Sequence, residues 1–507
     1  MRKKLLALGL LLGLSATAAD LKVALENDAS SLDPMEKLLE TNALFAHLLY
    51  DPLLRYNSKR ELEPRLAEKW TVIDDQTIRF QLRHGVKFHS GNPFTADDVV
   101  WSFKRLKDSP NFSALYSYFD GFVKVDDHTV DLKLKDKYPL ALPPLAYFFI
   151  MDSQHFREGE RSQLSSNGSG YAAEHVSGTG PFQLESRKPG EKTVLKRFAD
   201  HWAPGGNVER LTLNINPSEQ ERFDQLMQKQ VDLTMPIGPR HINALKQDAD
   251  HELLLVPSEK VIVLQLNQQA APQFKDKRVR QAVNLSLNRK DIDKRVLQNL
   301  ATPAGQLSPP SYLGHHPDYA PEFDLAAAQA LMKEAGLENG FRVSFIAPTG
   351  YFIADDLLAN AIVRQLANIK ITAELEAIKP SEYWERFERC EAGLAMDGWI
   401  ADTDDSANLS ETLTATKNQD TGLGVNNCGG FSNGDIDRLL REASTEMNVD
   451  KRRALLQKIS EIEHDEALIV PLHWQNLSFG YDKKLENLPA ITNVKGYPYL
   501  GDLKVKP

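Results

Sequence analysis

Early in the chain, apolar positions recur first at the spacing of a strand and then at the spacing of a helix. In TIRFQLR, residues 77–83, the apolar side chains Ile78, Phe80 and Leu82 share one face, which predicts a half-buried strand. An apolar stripe at helical spacing begins a few residues after Thr95, within TADDVVWSFKRL. Threonine is a favourable helix N-cap, so we expect a helix that begins directly after Thr95.

The second half of the chain alternates strand and helix patterns. RVSFIAP and ITAELEAI predict strands on either side of the helix ADDLLANAIVRQLAN. The helix SEYWERFERCEAG then precedes the strand LAMDGWIAD, and residues 276–300 predict one longer helical region. This β–α–β order is typical of a mixed α/β fold.

The N-terminus has the three-part order of a secretory signal. Arg2, Lys3 and Lys4 precede an apolar run, and small residues follow as far as Ala19. The run is shorter than the roughly 20 residues that span a bilayer. We therefore expect a signal peptide over residues 1–19, cleaved near Ala18 or Ala19, and a periplasmic protein.

Charge and size limit the choice of partner. The chain has 507 residues and a formal net charge of −10, and it has no basic run interleaved with aromatics. Nucleic-acid binding depends on clustered Lys and Arg, so we expect no nucleic-acid partner. The length implies two or three domains.

Two cysteines, Cys390 and Cys428, are an even number in a chain expected to be exported. An oxidising compartment permits a disulfide between them, while their spacing alone does not require one. Two free thiols are the alternative.

The stretch GWIADTDDSANL, residues 398–409, ends an apolar strand pattern in a group of carboxylates. Three interpretations compete: a solvated strand end, a metal site, or an anchor for a ligand ammonium group. Asp-x-Asp-Asp lacks the further spaced oxygens and the glycine of a calcium loop. Asp404 and Asp405 fit helix-start or surface residues of the following SANLSETL segment.

Signals of catalysis are absent from the sequence. No serine lies in a G-x-S-x-G elbow, and Gly178-Thr179-Gly180 is too short for a phosphate loop. His464 and His473 do not match the H-E-x-x-H metal pattern. We expect no enzyme activity, no cofactor and no bound metal.

The stretch LAEKWTVIDDQTIRFQLRHGVKFHSGNPFTADDVVWSFKRL, residues 66–106, resembles the signature of a known family. The family that it resembles is the bacterial extracellular solute-binding proteins of family 5, the oligopeptide- and dipeptide-binding components of ABC importers. Further matches follow in the family's order: SLDP (31–34), GTGPFQLES (178–186), FADHW (198–202), DKRVRQAVNLSLNR (276–289), AQALMKEAGLENGF and SNGDIDRLL.

The resemblance implies an α/β fold of the hinged, type II periplasmic binding protein kind, with two lobes and a satellite domain. The first lobe would comprise residues 20–50, 177–266 and 478–507. The satellite would comprise residues 51–176, and the second lobe residues 267–477. Ligand would be enclosed between the lobes by hinge closure.

The resemblance also implies a ligand site. In the peptide-binding members the aspartate that ends a GW-x-x-D run pairs with the ligand's N-terminal ammonium, and Asp402 holds that position here. Trp399 would supply a flat wall, and Gly398 and Ile400 would supply backbone groups. The opposite wall would include Asp28, Ala29 and Ser30. The segment TDDSAN lacks the proline that commonly follows in relatives, which leaves the shape of this loop open.

The leading interpretation is a monomeric binding protein that captures short peptides and delivers them to an inner-membrane ABC permease. A first alternative keeps the family and changes the ligand to a nickel chelate, haem, glutathione or an oligosaccharide. A second alternative is an exported hydrolase. The length of the peptide and the residue that meets its carboxylate do not follow from the sequence.

Overall fold

A computed structural model describes residues 19–37, 39–165, 168–401, 403, 405–493 and 495–506. Its strands, in chain order, are β1 Ala19–Leu25, β2 Leu54–Tyr56, β3 Leu62–Pro64, β4 Ala67–Asp74, β5 Thr77–Leu82, β6 Phe119–Asp126, β7 Thr129–Leu134, β8 Phe182–Lys188, β9 Lys192–Arg197, β10 Val208–Ile215, β11 Leu233–Met235, β12 His251–Val256, β13 Val261–Leu266, β14 Ala301–Pro303, β15 Phe341–Pro348, β16 Ile371–Ile378, β17 Leu394–Trp399, β18 Val470–Gln475 and β19 Leu477–Asp482.

The α-helices of the described residues are α1 Glu40–Leu49, α2 Ala96–Lys107, α3 Ser153–Phe156, α4 Glu219–Met227, α5 Ile242–Gln247, α6 Lys277–Ser286, α7 Arg289–Arg295, α8 Leu325–Glu334, α9 Asp355–Leu366, α10 Pro380–Glu388, α11 Ala407–Leu413, α12 Gly434–Thr445, α13 Val449–Glu466 and α14 Leu488–Ile491. Within this described part of the chain, no helix is both long and apolar enough to cross a membrane.

Two large sheets dominate the molecule. The first has seven strands in the order β12-β19-β11-β1-β10-β9-β8, with β1 parallel to both of its neighbours. The second has six strands in the order β14-β18-β13-β17-β15-β16. Strand β13 is central in the second sheet, and all six of its residues are buried, as expected for a strand covered on both faces.

A smaller antiparallel sheet, β4-β5-β7-β6, packs with helix α2 and lies outside both large sheets. Its residues share one hydrophobic core with the first large sheet, which places Phe80 and Phe103 in the same cluster as Leu21 and Val23. Most of the second large sheet packs in a separate core around Leu264 and other residues. The mixed α/β fold expected from the sequence is confirmed.

The chain crosses twice between the large sheets. Strand β12 of the first sheet ends at Val256 and β13 of the second begins at Val261. Strands β18 and β19 are separated only by Asn476. The sheets therefore divide before β13, whereas the sequence-based layout kept residues up to 266 in the first lobe; the domain boundaries themselves stay a prediction.

The long helical region expected over residues 276–300 is divided. Helix α6 ends at Ser286 and α7 begins at Arg289. The Asn288 side chain accepts a hydrogen bond from the backbone N–H of Asp291 at 3.0 Å, so it caps a new helix. The apolar periodicity continued across this break, which is why one helix was predicted.

Candidate functional site

A cavity of about 1880 Å³ lies between the two large sheets. From the first sheet it is lined by the ends of β1 and β11 and the start of β19. From the second it is lined by the loop after β15 and the ends of β17 and β18. Tyr118 and Tyr138, from the region of the small sheet, complete the wall. Sites for drug-sized ligands occupy about 300–1,000 Å³, so this cavity has room for a larger ligand.

The end of β17 reaches this cavity, and Gly398, Trp399 and Ile400 all line it. A Cβ at position 398 would lie 2.7 Å from Cε1 of Phe352 and 2.8 Å from Cδ1 of Ile262. Glycine therefore allows two side chains to pack against the strand backbone. The Trp399 indole N–H donates to Asn408 Oδ1 at 2.9 Å, so this N–H is already bound within the protein.

One side of the end of β17 has no strand partner among the described residues. Its antiparallel pairing with β13 continues to Trp399, whereas its parallel pairing with β15 ends at Ala395. Met396 and Asp397 are still fully buried, and the Met396 carbonyl accepts the Tyr383 hydroxyl, so the part of this strand end that reaches the cavity begins at Gly398. An extended ligand can add to such an edge through main-chain hydrogen bonds.

Asp397, just before this edge, is fully buried. Its Oδ1 accepts the N–H of Gly398 at 2.7 Å, and Gln265 Nε2 lies 3.4 Å from its Oδ2. Burial raises the pKa of Asp397 to about 7, and the hydrogen bonds only partly oppose this. Asp397 is thus buried beneath the end of the strand and binds its backbone, without reaching the cavity.

The predicted ammonium anchor Asp402 lies outside the described residues, as does Asp404. Asp405 is described, and it is 1% exposed. One of its oxygens accepts the N–H of Ala407 at 3.0 Å, and the other accepts Arg452 Nε at 2.6 Å. The helix-start interpretation of Asp405 is confirmed, but the surface interpretation is wrong, because Arg452 pairs with it in the interior.

The three residues predicted for the opposite wall have different positions. Asp28 and Ser30 line the cavity, whereas Ala29 is buried away from it. Asp28 Oδ2 accepts Arg187 Nη2 at 3.1 Å and the N–H of Gly190 at 2.8 Å. The Ala29 carbonyl also accepts from Arg187, at 2.5 Å. Arg187 therefore holds this segment in place beside the cavity.

The segment after β15, residues 349–357, comprises a loop and the start of α9 and forms a wall that the sequence analysis did not predict. The Asp355 carboxylate accepts the N–H groups of Gly350, Tyr351 and Phe352 at 2.8 to 3.1 Å, which organises the loop. Burial raises the pKa of Asp355, and these hydrogen bonds partly oppose it. The sequence GYFIADD, residues 350–356, could have indicated this ordered turn, because an aspartate at the start of a helix commonly accepts backbone N–H groups.

An ion pair between Lys260 and Glu40 lies at the cavity wall, with Nζ and Oε1 2.7 Å apart. Burial lowers the pKa of Lys260, but the Glu40 carboxylate outweighs it and the net pKa is raised. Lys260 directly precedes β13 at one crossing between the sheets. It is a cation of the cavity wall that is already paired with Glu40.

The carboxylate of Glu259, beside Lys260, is almost fully buried. It lies 2.5 Å from Lys495 Nζ and 2.9 Å from Arg60 Nη2, and it accepts the Tyr312 hydroxyl at 2.9 Å. These partners come from three separate parts of the chain. The crossing between the sheets is therefore tied to all of them.

The structure joins Cys390 and Cys428 by a disulfide, with Cα atoms 5.2 Å apart. Cys390 follows α10 closely, and Cys428 lies in the loop between α11 and α12. The bridge closes a segment that contains β17 and α11, both of which line the cavity.

Comparison with known proteins gives a consistent assignment. The model of the bacterial extracellular solute-binding proteins, family 5 Middle, matches residues 61–421. The dipeptide-binding protein of Escherichia coli (strain K12) is 30% identical over 451 residues, which are 83% of this chain and 82% of that protein. Heme-binding protein A of Haemophilus influenzae is 29% identical over 478 residues, 89% of this chain and 84% of that protein.

Among solved structures, the chain resembles the ABC transporter-associated periplasmic binding protein DppA from Helicobacter pylori in complex with peptide STSA. The TM-score is 0.80 at 24% sequence identity, over 96% of this chain and 98% of the other. This likeness extends over nearly the whole chain. It confirms the type II binding-protein fold expected from the sequence.

Proposed function

The chain belongs to the bacterial extracellular solute-binding proteins of family 5, and on that premise we propose that it captures short peptides. The peptide is bound in the cavity between the two large sheets, the lobes close over it, and the complex delivers it to an inner-membrane ABC permease. The chain contributes a difference in affinity between open and closed states, without covalent chemistry.

The observation that carries the proposal is that the end of β17, from Gly398, lines the cavity of about 1880 Å³ and is not paired with β15. Main-chain pairing at this edge uses atoms that every peptide has, so it tolerates different side chains. Gly398 brings Phe352 and Ile262 close to the strand, which gives the bound backbone an apolar floor. Its relative of 30% identity in Escherichia coli carries the name dipeptide-binding protein, which supports the same ligand class.

Asp402 is the proposed partner of the peptide's N-terminal ammonium. It follows Gly398-Trp399-Ile400-Ala401, at the position that pairs with this group in peptide-binding members. A carboxylate in a cavity with little water makes a strong charge-assisted hydrogen bond to an ammonium. With Asp28, Ser30 and the wall at 398–400 it would complete the site.

Export and assembly form part of the proposal. Residues 1–19 act as a signal peptide cleaved near Ala18 or Ala19, and the mature protein works in the periplasm as a monomer. The proposed lobes and satellite domain have the bounds given in the sequence analysis, except that the sheet order favours a second lobe that begins at β13 and not at residue 267. The order of charged, apolar and small residues at the N-terminus supports export.

The test is calorimetric titration of the mature protein with di- to pentapeptides, each used free and N-acetylated. We expect the free peptides to bind and acetylation to weaken them, because it removes the ammonium charge. Asp402→Asn should weaken free peptides by about 2–5 kcal/mol, the usual effect of removing one partner of a buried charge pair. It should leave the acetylated peptides nearly unchanged.

The matched control is Asp318→Asn, since the Asp318 side chain is 84% exposed and does not line the cavity. It should bind like the unmodified protein. Absence of binding by every free peptide would overturn the peptide proposal. Equal binding of free and acetylated peptides would overturn the role of Asp402 and keep the peptide as ligand.

A second candidate ligand, haem, has its own supporting observation. Heme-binding protein A of Haemophilus influenzae is 29% identical over 89% of this chain. Haem has no ammonium group, so its binding should not depend on Asp402. Titration with haem, followed by its absorption spectrum, distinguishes the two candidates.

A further inference from the structure

Among the acidic residues that line the same cavity is Glu411, on helix α11. Its side chain is half-buried. Among the described residues it has no hydrogen-bond or ion-pair partner. The proposed site of backbone and ammonium recognition leaves this carboxylate unused.

The neighbouring cation does not neutralise Glu411. Arg452 lies close enough to lower its pKa, but its guanidinium is bound to Asp405, with Nη2 and Oδ2 2.5 Å apart, and to the Ala443 carbonyl. Burial raises the pKa of Glu411 to about 7, and Asp405 adds to this more than Arg452 opposes it. A poorly solvated carboxylate without its own cation gains when a ligand supplies one.

Two tyrosines line the same cavity as Glu411. The rings of Tyr118 and Tyr138 stack with centroids 4.4 Å apart and planes 2° from parallel, and both line the cavity. Tyr138 is near enough to Glu411 for that carboxylate to raise its pKa, after the larger effect of burial. Aromatic ring faces attract ammonium and guanidinium groups.

We propose that Glu411, Tyr118 and Tyr138 form a subsite for a cationic side chain of the ligand, the ammonium of a lysine or the guanidinium of an arginine. This inference rests on the proposed function, since it assumes a bound peptide. Glu411 supplies the charge and the tyrosines supply the ring faces. Helix α11 packs against β13 of the second large sheet, whereas the two tyrosines flank strands β6 and β7 of the small sheet. The bound side chain would therefore contact both parts of the molecule.

The experiment compares tripeptides of alanine in which one position carries either lysine or norleucine, the uncharged analogue with the same chain length. Each position is tested in turn by calorimetric titration. We expect the protein to prefer lysine over norleucine at one position by tenfold or more. Glu411→Gln should abolish that preference and leave the norleucine peptide bound as before.

The second variant is Tyr138→Leu, which removes a ring face and keeps the carboxylate. It should reduce the lysine preference several-fold and leave some of it. Circular dichroism of both variants and their retained binding of the norleucine peptide show that they are folded.

The outcomes separate this inference from the proposed function. Peptides that bind with no preference for lysine, or a preference that persists in Glu411→Gln, would overturn the subsite alone. If no tripeptide binds at all, the proposed function fails, and the subsite fails with it. A lysine preference lost in Glu411→Gln supports both.

Discussion

At the residue scale, three carboxyl groups in the second-sheet half of the molecule have strongly raised pKa values. Asp397, Glu411 and Glu463 each have a pKa raised to about 7, with burial as the largest cause. Each therefore binds a proton in the folded protein at a pH where the unfolded chain has released it. The contribution of these three groups to stability should therefore fall as pH rises between the ordinary carboxyl pKa and about 7.

Substitution of Asp397 by asparagine should flatten this pH dependence. Below about pH 4 the carboxyl is protonated in both the folded and the unfolded state. Between about pH 4 and 7 only the folded protein holds the proton, so the free energy of unfolding falls as pH rises. The slope removed by Asp397→Asn should approach about 1.4 kcal/mol per pH unit, the value for one proton.

The measurement is urea unfolding of both proteins from pH 4 to 8. The amide oxygen of asparagine can still accept the Gly398 N–H, so the variant should fold. Asp318→Asn, at an exposed position, should keep the original slope. Parallel curves for Asp397→Asn and the unmodified protein would contradict the shifted pKa.

At the element scale, local signals determined many boundaries. The helix expected after Thr95 begins at Ala96, and the Thr95 N–H donates to Asp98 at 2.8 Å. The predicted strand–helix–strand order appears as β15, α9 and β16. The pairing of the two cysteines, in contrast, depended on tertiary structure, because their separation of 38 residues allowed a bridge without requiring it.

Removal of the disulfide should destabilise the protein. A closed loop of this length, with a sequence separation of 38, corresponds to about 4 kcal/mol by chain entropy, and measured values commonly run from about 2 to 4. We expect the double variant Cys390→Ser, Cys428→Ser to lose a free energy of unfolding in this range. Urea unfolding measures it.

Reduction with dithiothreitol supplies the control for this prediction. It should lower the stability of the unmodified protein to that of the double variant and leave the double variant unchanged. An unmodified protein that reduction does not destabilise would contradict the prediction.

At the scale of the whole molecule, the crossing between the two large sheets is held by buried charges. Glu259 is paired with Lys495 near the C-terminus and with Arg60 in the turn between β2 and β3. The side chains of Glu259 and Lys495 are 1% and 2% exposed. Because a buried charge that loses a partner is costly, this cluster should stabilise the crossing between the sheets.

Lys495→Met should therefore destabilise the protein by about 3–5 kcal/mol, since it leaves Glu259 short of one buried cation. The control is Lys188→Met, because Lys188 and Glu191 form a pair whose side chains are 71% and 60% exposed. Such surface pairs contribute about 0–1 kcal/mol. Urea unfolding compares the two, and equal losses would contradict a structural role for the buried pair.

The sequence by itself determined the fold class and several strands and helices; its prediction that residues 398–400 contact ligand stays a prediction, although they line the cavity. These depend on local periodicity, on caps and on motifs resembling a family, all of which are written in consecutive residues. It missed the break at Asn288, because the apolar spacing continued across it.

Only the tertiary structure decided which distant groups meet. The wall at 349–357, the pairing of Asp405 with Arg452, and the approach of Tyr138 to Glu411 each join segments far apart in the chain. No local pattern records such contacts, because they arise when sheets and helices pack. Burial and the pKa values that follow from it are likewise properties of the packed molecule.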